Sequence, residues 1–249
     1  ERFISKDFEL KLIEILKNQD YDVVQFETLF ITPYIPVIRQ HSKARIVLRS
    51  HNIEHLIWKR VAEITKNPLK KYYLNHLWKT LRNYELGHLN DYDGIVTITK
   101  NDGDFFKKNG CNIPLTDIPF GISLEKFSRE KDIPTDFPSL FHIGAMNWIP
   151  NIEGVKWFLD HVWPRLHQTY PGLKFYLAGR EMPDWLTHLR MKNVEVVGEV
   201  DAALDFIQSK AIEVVPLFSG SGIRIKIIEG MAMGKAVVST SIGAEGIHV

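Results

Sequence analysis

Short apolar runs alternate with amphipathic segments along most of this chain. In the second half the apolar runs are Leu140–Ile143, Lys174–Ala178, Val194–Val197, Ile212–Val215 and Ala236–Ser239. Helical patterns lie between them, at Ile152–His167, Asp184–Arg190, Asp201–Gln208 and Ile223–Met233. Short buried strands that alternate with helices predict parallel βαβ units. Ligands of such sheets bind beyond the carboxyl ends of the strands, so we expect ligand contacts at Gly144 and around Ser219–Gly222.

The first half shows the same alternation less regularly. Its pattern predicts an amphipathic helix over residues 5–18, a loop marked by Pro33 and Pro36, and helical segments from about residue 52 to residue 90. The predicted strands are Val23–Phe26, Arg45–Leu48, Gly94–Ile98 and Pro114–Ile118. Thr99 and Asp102 have the spacing of a helix cap. The polar, proline-rich residues 128–138 indicate a linker, so the expected domains are residues 1–127 and 139–249.

Composition narrows the class of protein. The 249 residues are 45% hydrophobic and 24% charged, which suits a soluble globular protein with one or two cores. A formal net charge of +1 gives no strong field that would attract nucleic acid. Cys111 is the one cysteine, which excludes an intrachain disulfide and fits a cytoplasmic setting. The chain has no initiator Met and no signal peptide, and we expect it to be part of something longer.

A glycine-rich loop near the end of the chain carries the strongest chemical pattern. Ser221 and Gly222 belong to it, and Arg224 and Lys226 follow in what the pattern predicts to be the first turn of a helix. Two cations there are unfavourable, because a helix N-terminus carries partial positive charge. A bound phosphate would remove the conflict, since the loop amides and the helix dipole attract anions. The alternative is that both cations point into solvent.

Four segments of the second half carry a resemblance to a known family: Phe141–Asn151, Leu177–Gly179, Gly198–Asp201 and Ser219–Gly246. Together they resemble the "glycosyl transferases group 1" family of retaining enzymes with the GT-B fold. The first half resembles the family more loosely, through Ser50–Glu54 and Asp93–Thr99. The resemblance implies an α/β protein of GT-B type, in which two Rossmann-like parallel-sheet domains face a cleft. Relative to the family, both domains are expected to be incomplete in this chain.

The resemblance also implies a donor, a nucleotide-diphosphate sugar held mainly by the second domain. The second carboxylate of the family's Glu-x7-Glu motif binds the ribose hydroxyls and falls on Glu229, whereas the first falls on Ser221. An alternative for Glu229 is a surface ion pair with Lys226. Glu245 is a further donor-side candidate. Gly144 and the loop glycines are expected to let the backbone approach the phosphates, although turn formation alone also explains them.

Two residues of the first domain are candidates for orienting the sugar or the acceptor. Glu27 occupies the position at which related enzymes place a histidine beside the donor sugar. His51 follows a predicted strand and precedes a helix, where it could face the cleft, or could be a histidine with no catalytic task. Both are candidate catalytic residues.

The expected activity is transfer of a hexose to a hydroxyl acceptor with retention, in polysaccharide or glycoconjugate biosynthesis. A non-catalytic nucleotide-sugar-binding subunit stays open because Ser221 replaces a carboxylate, and so does a nucleotide-sugar epimerase of the same fold. No metal and no cofactor are expected, since basic residues and helix dipoles can stabilise a departing diphosphate. The acceptor is expected to be a glycan or a lipid-linked molecule. The basic, aromatic stretch Lys66–Arg82 fits contact with the inner membrane face, or an ordinary amphipathic helix.

Overall fold

The computed structural model describes residues 3–127 and 133–247. Contacts within it divide the chain into two units. The first holds the residues up to Phe120 together with Ser221–Ile223, and the second holds Gly121–Gly220 and Arg224–Ile247. Each unit is built on a parallel β-sheet with helices between its strands. Of the expected linker, residues 128–132 lie outside the described residues.

The sheet of the first unit has four parallel strands whose order follows the sequence. They are β1 (Val23–Phe26), β2 (Arg45–Ser50), β3 (Gly94–Thr97) and β4 (Leu115–Asp117). The α-helices are α1 (Lys6–Asn18), α2 (Ile35–His41), α3 (Glu54–Ile64), α4 (Pro68–Gly87) and α5 (Lys100–Lys108). Phe26, Ile46, Leu48, Ile95 and Phe106 are buried in its core. The four predicted strands are therefore present: β1 has the predicted bounds, and the ends of the other three differ by one or two residues.

Three helices in this unit, α1, α4 and α5, begin at a residue whose side chain caps the helix. The Thr99 hydroxyl accepts a hydrogen bond from the Asp102 amide at 3.0 Å, which confirms the cap expected from their spacing. The loop predicted at Pro33 and Pro36 is wrong. Residues Leu29–Tyr34 form a 3₁₀ helix that runs into α2, because the fixed φ of proline suits the first turn of a helix.

The second unit has a five-stranded parallel sheet in the order β7-β6-β5-β8-β9. The strands are β5 (Asp136–Ile143), β6 (Lys174–Ala178), β7 (Val194–Gly198), β8 (Lys210–Val215) and β9 (Ala236–Ser239). The α-helices are α6 (Leu124–Phe127), α7 (Ile149–Trp157), α8 (Trp163–Thr169), α9 (Asp184–Thr187), α10 (Ala203–Gln208) and α11 (Ile225–Ala232). A π-helical turn, Phe158–Val162, joins α7 to α8. Alternation of strand and helix thus produces the parallel sheet that the sequence predicts.

Several boundaries in this unit differ from the prediction by a few residues, and two of these differences have an identifiable structural basis. Strand β5 begins at Asp136 rather than Leu140, because Asp136 pairs with Lys210 and its amide donates to the Ser209 carbonyl at 2.8 Å. Helix α11 begins at Ile225, so Arg224 is not in its first turn. Arg224 is the extended residue before the helix, with φ −91° and ψ 95°.

The order of the strands creates a switch point between β5 and β8. From β5 the chain moves outward through β6 to β7, and from β8 it moves to β9 on the other side. Ligands in open α/β sheets bind in the crevice at the carboxyl ends of the two strands where the direction reverses. The loop after β5 and the loop after β8 border this crevice. None of the helices within the described ranges has the length and apolar character that a membrane crossing requires.

Candidate functional site

The loop after β5 is held closely against the rest of the second unit. The Gly144 amide donates to the Ala178 carbonyl at 3.1 Å, and the buried Asn151 side chain donates to the Ala145 carbonyl at 2.9 Å. A Cβ at position 144 would lie 2.7 Å from the Lys226 ammonium and 2.7 Å from the Asn151 amide nitrogen. Position 144 therefore has to be glycine for these two side chains to lie against the loop.

Lys226 extends from the first turn of α11 to the loop after β5. Its ammonium donates to the Asn151 side-chain oxygen at 3.1 Å. Among the ion pairs of residues 3–127 and 133–247, none joins Lys226 to Glu229. The alternative of a surface pair between these residues is therefore not what the structure shows. Lys226 instead lies beside the backbone of Gly144, where the sequence predicts a phosphate.

Arg224 reaches the same region from the residue before α11. The residue is 6% exposed, and its guanidinium carbon lies 5.3 Å from the ring centroid of Trp148, in the geometry of a cation–π contact. Trp148 belongs to the turn that precedes α7. Solvent exposure, the alternative for Arg224, is therefore not observed.

Burial shapes the electrostatics of this region. Loss of water around the Lys226 ammonium lowers its pKa to about 8, an effect that the Glu213 carboxylate opposes. The neighbouring Arg224 guanidinium lowers the pKa of Lys226 further. Burial raises the pKa of the half-buried Glu229, and the Lys226 charge counteracts the rise. A bound anion would stabilise two cations that lie close together and are largely shielded from solvent.

The other donor-side candidates lie in loops. Ser221 and Gly222 are buried in the loop after β8, and their contacts group them with the first unit. Glu245 is half-buried in the turn that follows β9, where its amide donates to the Ile242 carbonyl at 3.4 Å. The structure thus brings together Gly144, Arg224 and Lys226, and it places Glu245 at the carboxyl end of the same sheet.

A cavity of about 200 Å³ adjoins Gly144 at the carboxyl ends of β5, β6 and β7. Its walls are Ile143, Gly144, Ala145, Gly179, Arg180, Glu199, Val200 and Ala203. Larger open depressions occur on the first unit, near Val23 and Arg45 at the amino ends of its strands. Ligands of parallel α/β sheets bind at the carboxyl ends of the strands, so these depressions lie at the end of the sheet where a ligand is not expected.

In the first unit, Glu27 and His51 form a hydrogen-bonded pair. They follow the adjacent parallel strands β1 and β2, and the His51 Nε2 atom lies 2.8 Å from Glu27 Oε2. The pKa of Glu27 is lowered, first by a hydrogen bond from Gln25 and then by that with His51. Both side chains are about half exposed, with 48% for His51 and 56% for Glu27. The pair is accessible to a ligand.

The sequence of the second half matches a known family. Residues 137–248 fit the model described as glycosyl transferases group 1. The match covers a little under half of the chain, so the second half is similar to this family. A protein of Klebsiella pneumoniae, described as an uncharacterized 44.6 kDa protein in the cps region, is 25% identical over 246 residues. That match covers 95% of this chain and 61% of the Klebsiella protein.

Solved structures agree with the family at the level of fold. Sucrose-phosphate synthase from Thermosynechococcus elongatus superposes with a TM-score of 0.69 at 16% identity, over 96% of this chain and 61% of that one. Anabaena Alr3699/HepE, solved in complex with UDP, gives a TM-score of 0.70 at 13% identity. That match covers 95% of this chain and 64% of the HepE chain. The fold is of the GT-B type, with two parallel-sheet α/β units. The chain spans less than two thirds of each of these relatives.

The expectation that this chain works without a metal ion stays a prediction. In the part of the chain that the structure describes, no three His, Cys, Asp or Glu side chains are grouped as metal ligands.

Two buried polar residues of the second sheet were not identified as site residues from the sequence. His142 on β5 donates through Nδ1 to the Val214 carbonyl at 2.8 Å, and burial, with a contribution from Lys226, lowers its pKa to about 3. Glu213 on β8 is fully buried, and burial raises its pKa to about 7. Both interrupt otherwise apolar runs of central strands. That interruption was the available signal, because strands covered on both faces are normally apolar throughout.

Proposed function

We propose that this chain is part of a retaining glycosyltransferase that moves a hexose from a nucleotide-diphosphate sugar to a hydroxyl acceptor. The convergence of Lys226 and Arg224 at the switch point of the second sheet carries the proposal. The complex of HepE with UDP supports a nucleotide donor. The position of the Klebsiella relative in a cps region supports a role in polysaccharide biosynthesis.

The donor would lie across the carboxyl ends of β5 to β8. Lys226 and Arg224 bind the diphosphate, the Gly144 backbone approaches it, and Glu229 accepts hydrogen bonds from the ribose hydroxyls. The cavity of about 200 Å³ beside Gly144 takes the base. Negative charge grows on the diphosphate as the glycosidic bond breaks. The two cations therefore stabilise the transition state more than the bound donor, which is the condition for catalysis.

The Glu27–His51 pair would serve the other substrate or the sugar. In a retaining transfer the departing phosphate takes the acceptor proton on the same face of the sugar. The pair therefore has to orient hydroxyl groups and is not required as a base. Its exposure and the lowered pKa of Glu27 suit a carboxylate that accepts hydrogen bonds. This reaction needs no metal and no cofactor besides the sugar nucleotide.

A non-catalytic binding subunit is the second candidate. Ser221 stands where the family places a carboxylate, which removes a contact to the donor sugar. Such a protein would bind the sugar nucleotide without breaking its glycosidic bond. An epimerase of the same fold would convert the donor in the absence of any acceptor.

Nucleotide binding tests the site directly. A thermal-shift screen of the full-length protein against UDP, GDP, ADP and their sugars selects the ligand, and calorimetry then compares variants. Lys226→Ala and Arg224→Ala should each weaken binding by about tenfold to a hundredfold, the range for one charged hydrogen bond. Lys192→Ala removes an exposed cation of the same unit and should change the affinity by less than about threefold. Wild-type affinity in both site variants would refute the site.

Product analysis separates the activities. We expect sugar transfer when donor and acceptor are present, and slow hydrolysis of the donor alone. Tight binding with neither reaction would establish the binding subunit, and a new sugar nucleotide formed from donor alone would establish the epimerase.

A further inference from the structure

A carboxylate lies within the second sheet, where burial is costly. Glu213 is 0% exposed on β8, which pairs with β5 on one side and β9 on the other. Neither of its oxygens has a hydrogen-bond partner among the residues that the structure describes. An ionised carboxylate in such a place requires a nearby cation.

Helix α11 makes room for this carboxylate. A Cβ at position 230 would collide with Glu213 Oε2, so the glycine creates the space that the carboxylate occupies. Position 230 is one helical turn after Lys226, and residues four apart lie on the same face of a helix. Glu213 is therefore inserted against the face of α11 from which Lys226 extends.

Several charged or titratable groups act on this pair. The Lys226 charge favours the ionised form of Glu213, and the Glu229 carboxylate on α11 disfavours it. The Arg224 guanidinium disfavours the protonated form of Lys226. His142 on β5 also interacts with Lys226 and stays neutral above a pH of about 3. Among the neighbouring charged groups, Glu213 contributes most to keeping Lys226 protonated.

We infer that Glu213 is a positioning residue for the diphosphate site, holding the Lys226 ammonium protonated beside Gly144. The inference rests on the proposed function, because it assumes that Lys226 binds phosphate. Glu213 does not itself touch the ligand. Asn151 fixes the direction of the ammonium through its hydrogen bond, and Glu213 maintains its charge.

If Glu213 keeps Lys226 protonated, its effect on phosphate binding depends on pH, whereas a purely structural effect of Glu213 does not. The pKa of Glu213 is raised to about 7, so the carboxylate is largely neutral at pH 6 and largely ionised at pH 8. At pH 6 the wild type and Glu213→Gln therefore carry almost the same charges. At pH 8 the variant lacks the carboxylate, so the pKa of Lys226 falls below its wild-type value of about 8 and a smaller fraction of the side chains is protonated.

Calorimetry with inorganic pyrophosphate on the full-length protein tests the inference. Glu213→Gln should bind within about twofold of wild type at pH 6 and about fivefold more weakly at pH 8, since lowering the Lys226 pKa by about one unit from about 8 reduces its protonated fraction at pH 8 from about one half to about one tenth. Glu195→Gln removes an exposed carboxylate from β7 of the same sheet and should match wild type at both values. An affinity ratio that is equal at pH 6 and pH 8 would overturn the inference.

A spectroscopic measurement reads the coupling without relying on affinity. In protein with ¹³C-labelled lysine, the Lys226 Cε resonance, assigned with Lys226→Arg, should titrate about one pH unit lower in Glu213→Gln than in wild type. An unchanged titration would refute the inference even if the affinity changed. If wild-type protein bound neither pyrophosphate nor any nucleotide diphosphate, the proposed function would be refuted. The positioning role, which rests on that function, would then be refuted as well.

Discussion

Arg224 and Lys226 reach one region of the second unit by different routes. Residues two apart do not share a helix face, so a regular helix through both would separate their side chains. The structure avoids this because Arg224 precedes α11 in an extended conformation, and only Lys226 belongs to the first turn. The departure from the predicted helix boundary therefore brings both cations to one region of the second unit.

Replacing Arg224 by lysine keeps the positive charge and tests whether the planar guanidinium group is needed. The planar guanidinium lies over the Trp148 ring, and a lysine ammonium can neither stack in this way nor bind a phosphate through two parallel hydrogen bonds. We expect Arg224→Lys to weaken nucleotide-diphosphate binding by about tenfold, measured by calorimetry. Arg190→Lys, at an exposed position of the same unit, is the matched control. Full affinity in Arg224→Lys would mean that charge alone matters there.

His142 should make the protein sensitive to acid. Its pKa falls from the ordinary 6.5 to about 3 in the folded state, because burial disfavours the charged ring. Between these values the unfolded chain binds a proton that the folded chain does not. The free energy of unfolding therefore decreases as the pH falls from 6.5, by about 1.4 kcal/mol per pH unit inside that window.

The variant His142→Asn removes the titration and keeps a donor for the Val214 carbonyl. Urea unfolding monitored by tryptophan fluorescence at pH 7 and pH 5 should show a smaller loss of stability in this variant than in wild type. His188→Asn, at an exposed position, should lose as much as wild type. If His142→Asn lost as much stability as wild type between pH 7 and pH 5, His142 would not be the acid-sensitive group.

At the scale of elements, α11 and β8 depend on each other through Gly230 and Glu213. Gly230→Ala alone should destabilise the protein by about 1–3 kcal/mol, because the new methyl group collides with the buried carboxylate. In a Glu213→Ala background the space is free. The same substitution should there stabilise the helix by about 0.5–1 kcal/mol, the usual advantage of alanine over glycine.

Urea unfolding of the four proteins in this cycle gives the coupling directly. A change of sign between the two backgrounds is the expected result, since residues in contact are not additive. Additive effects would show that the carboxylate does not occupy the space beside Gly230.

Most elements could be predicted because their causes are local. The strands Lys174–Ala178 and Ala236–Ser239 were predicted with the bounds that they have, from apolar runs bounded by polar residues. The start of α5 followed from the side-chain cap at Thr99. The 3₁₀ helix at Pro33 was missed because proline marks turns and helix starts alike, and packing in the core selects between them.

At the scale of the whole molecule, the two units should have separable tasks. His51 and Glu27 belong to the first unit, and the residues proposed to bind the diphosphate belong mainly to the second. We expect His51→Ala and Glu27→Gln to lower the transfer rate by about a hundredfold and to leave nucleotide-diphosphate affinity within about twofold of wild type. His41→Ala is the control, because His41 lies near the amino ends of the strands in the same unit, whereas Glu27 and His51 follow the carboxyl ends. A loss of nucleotide affinity equal to the loss of rate would place the pair in donor binding.

The sequence by itself determined the two parallel-sheet units, because strand and helix periodicity and end caps are local properties of the chain. It also predicts an anion site, since two cations after a glycine loop are unfavourable unless something negative binds there. Only the tertiary structure decided that Lys226 reaches Asn151, that Arg224 lies on Trp148 and that Glu213 lies against Gly230. These contacts join residues that are separated in the sequence. Burial, which depends on how the elements pack, shifts the pKa values of Glu213 and Lys226.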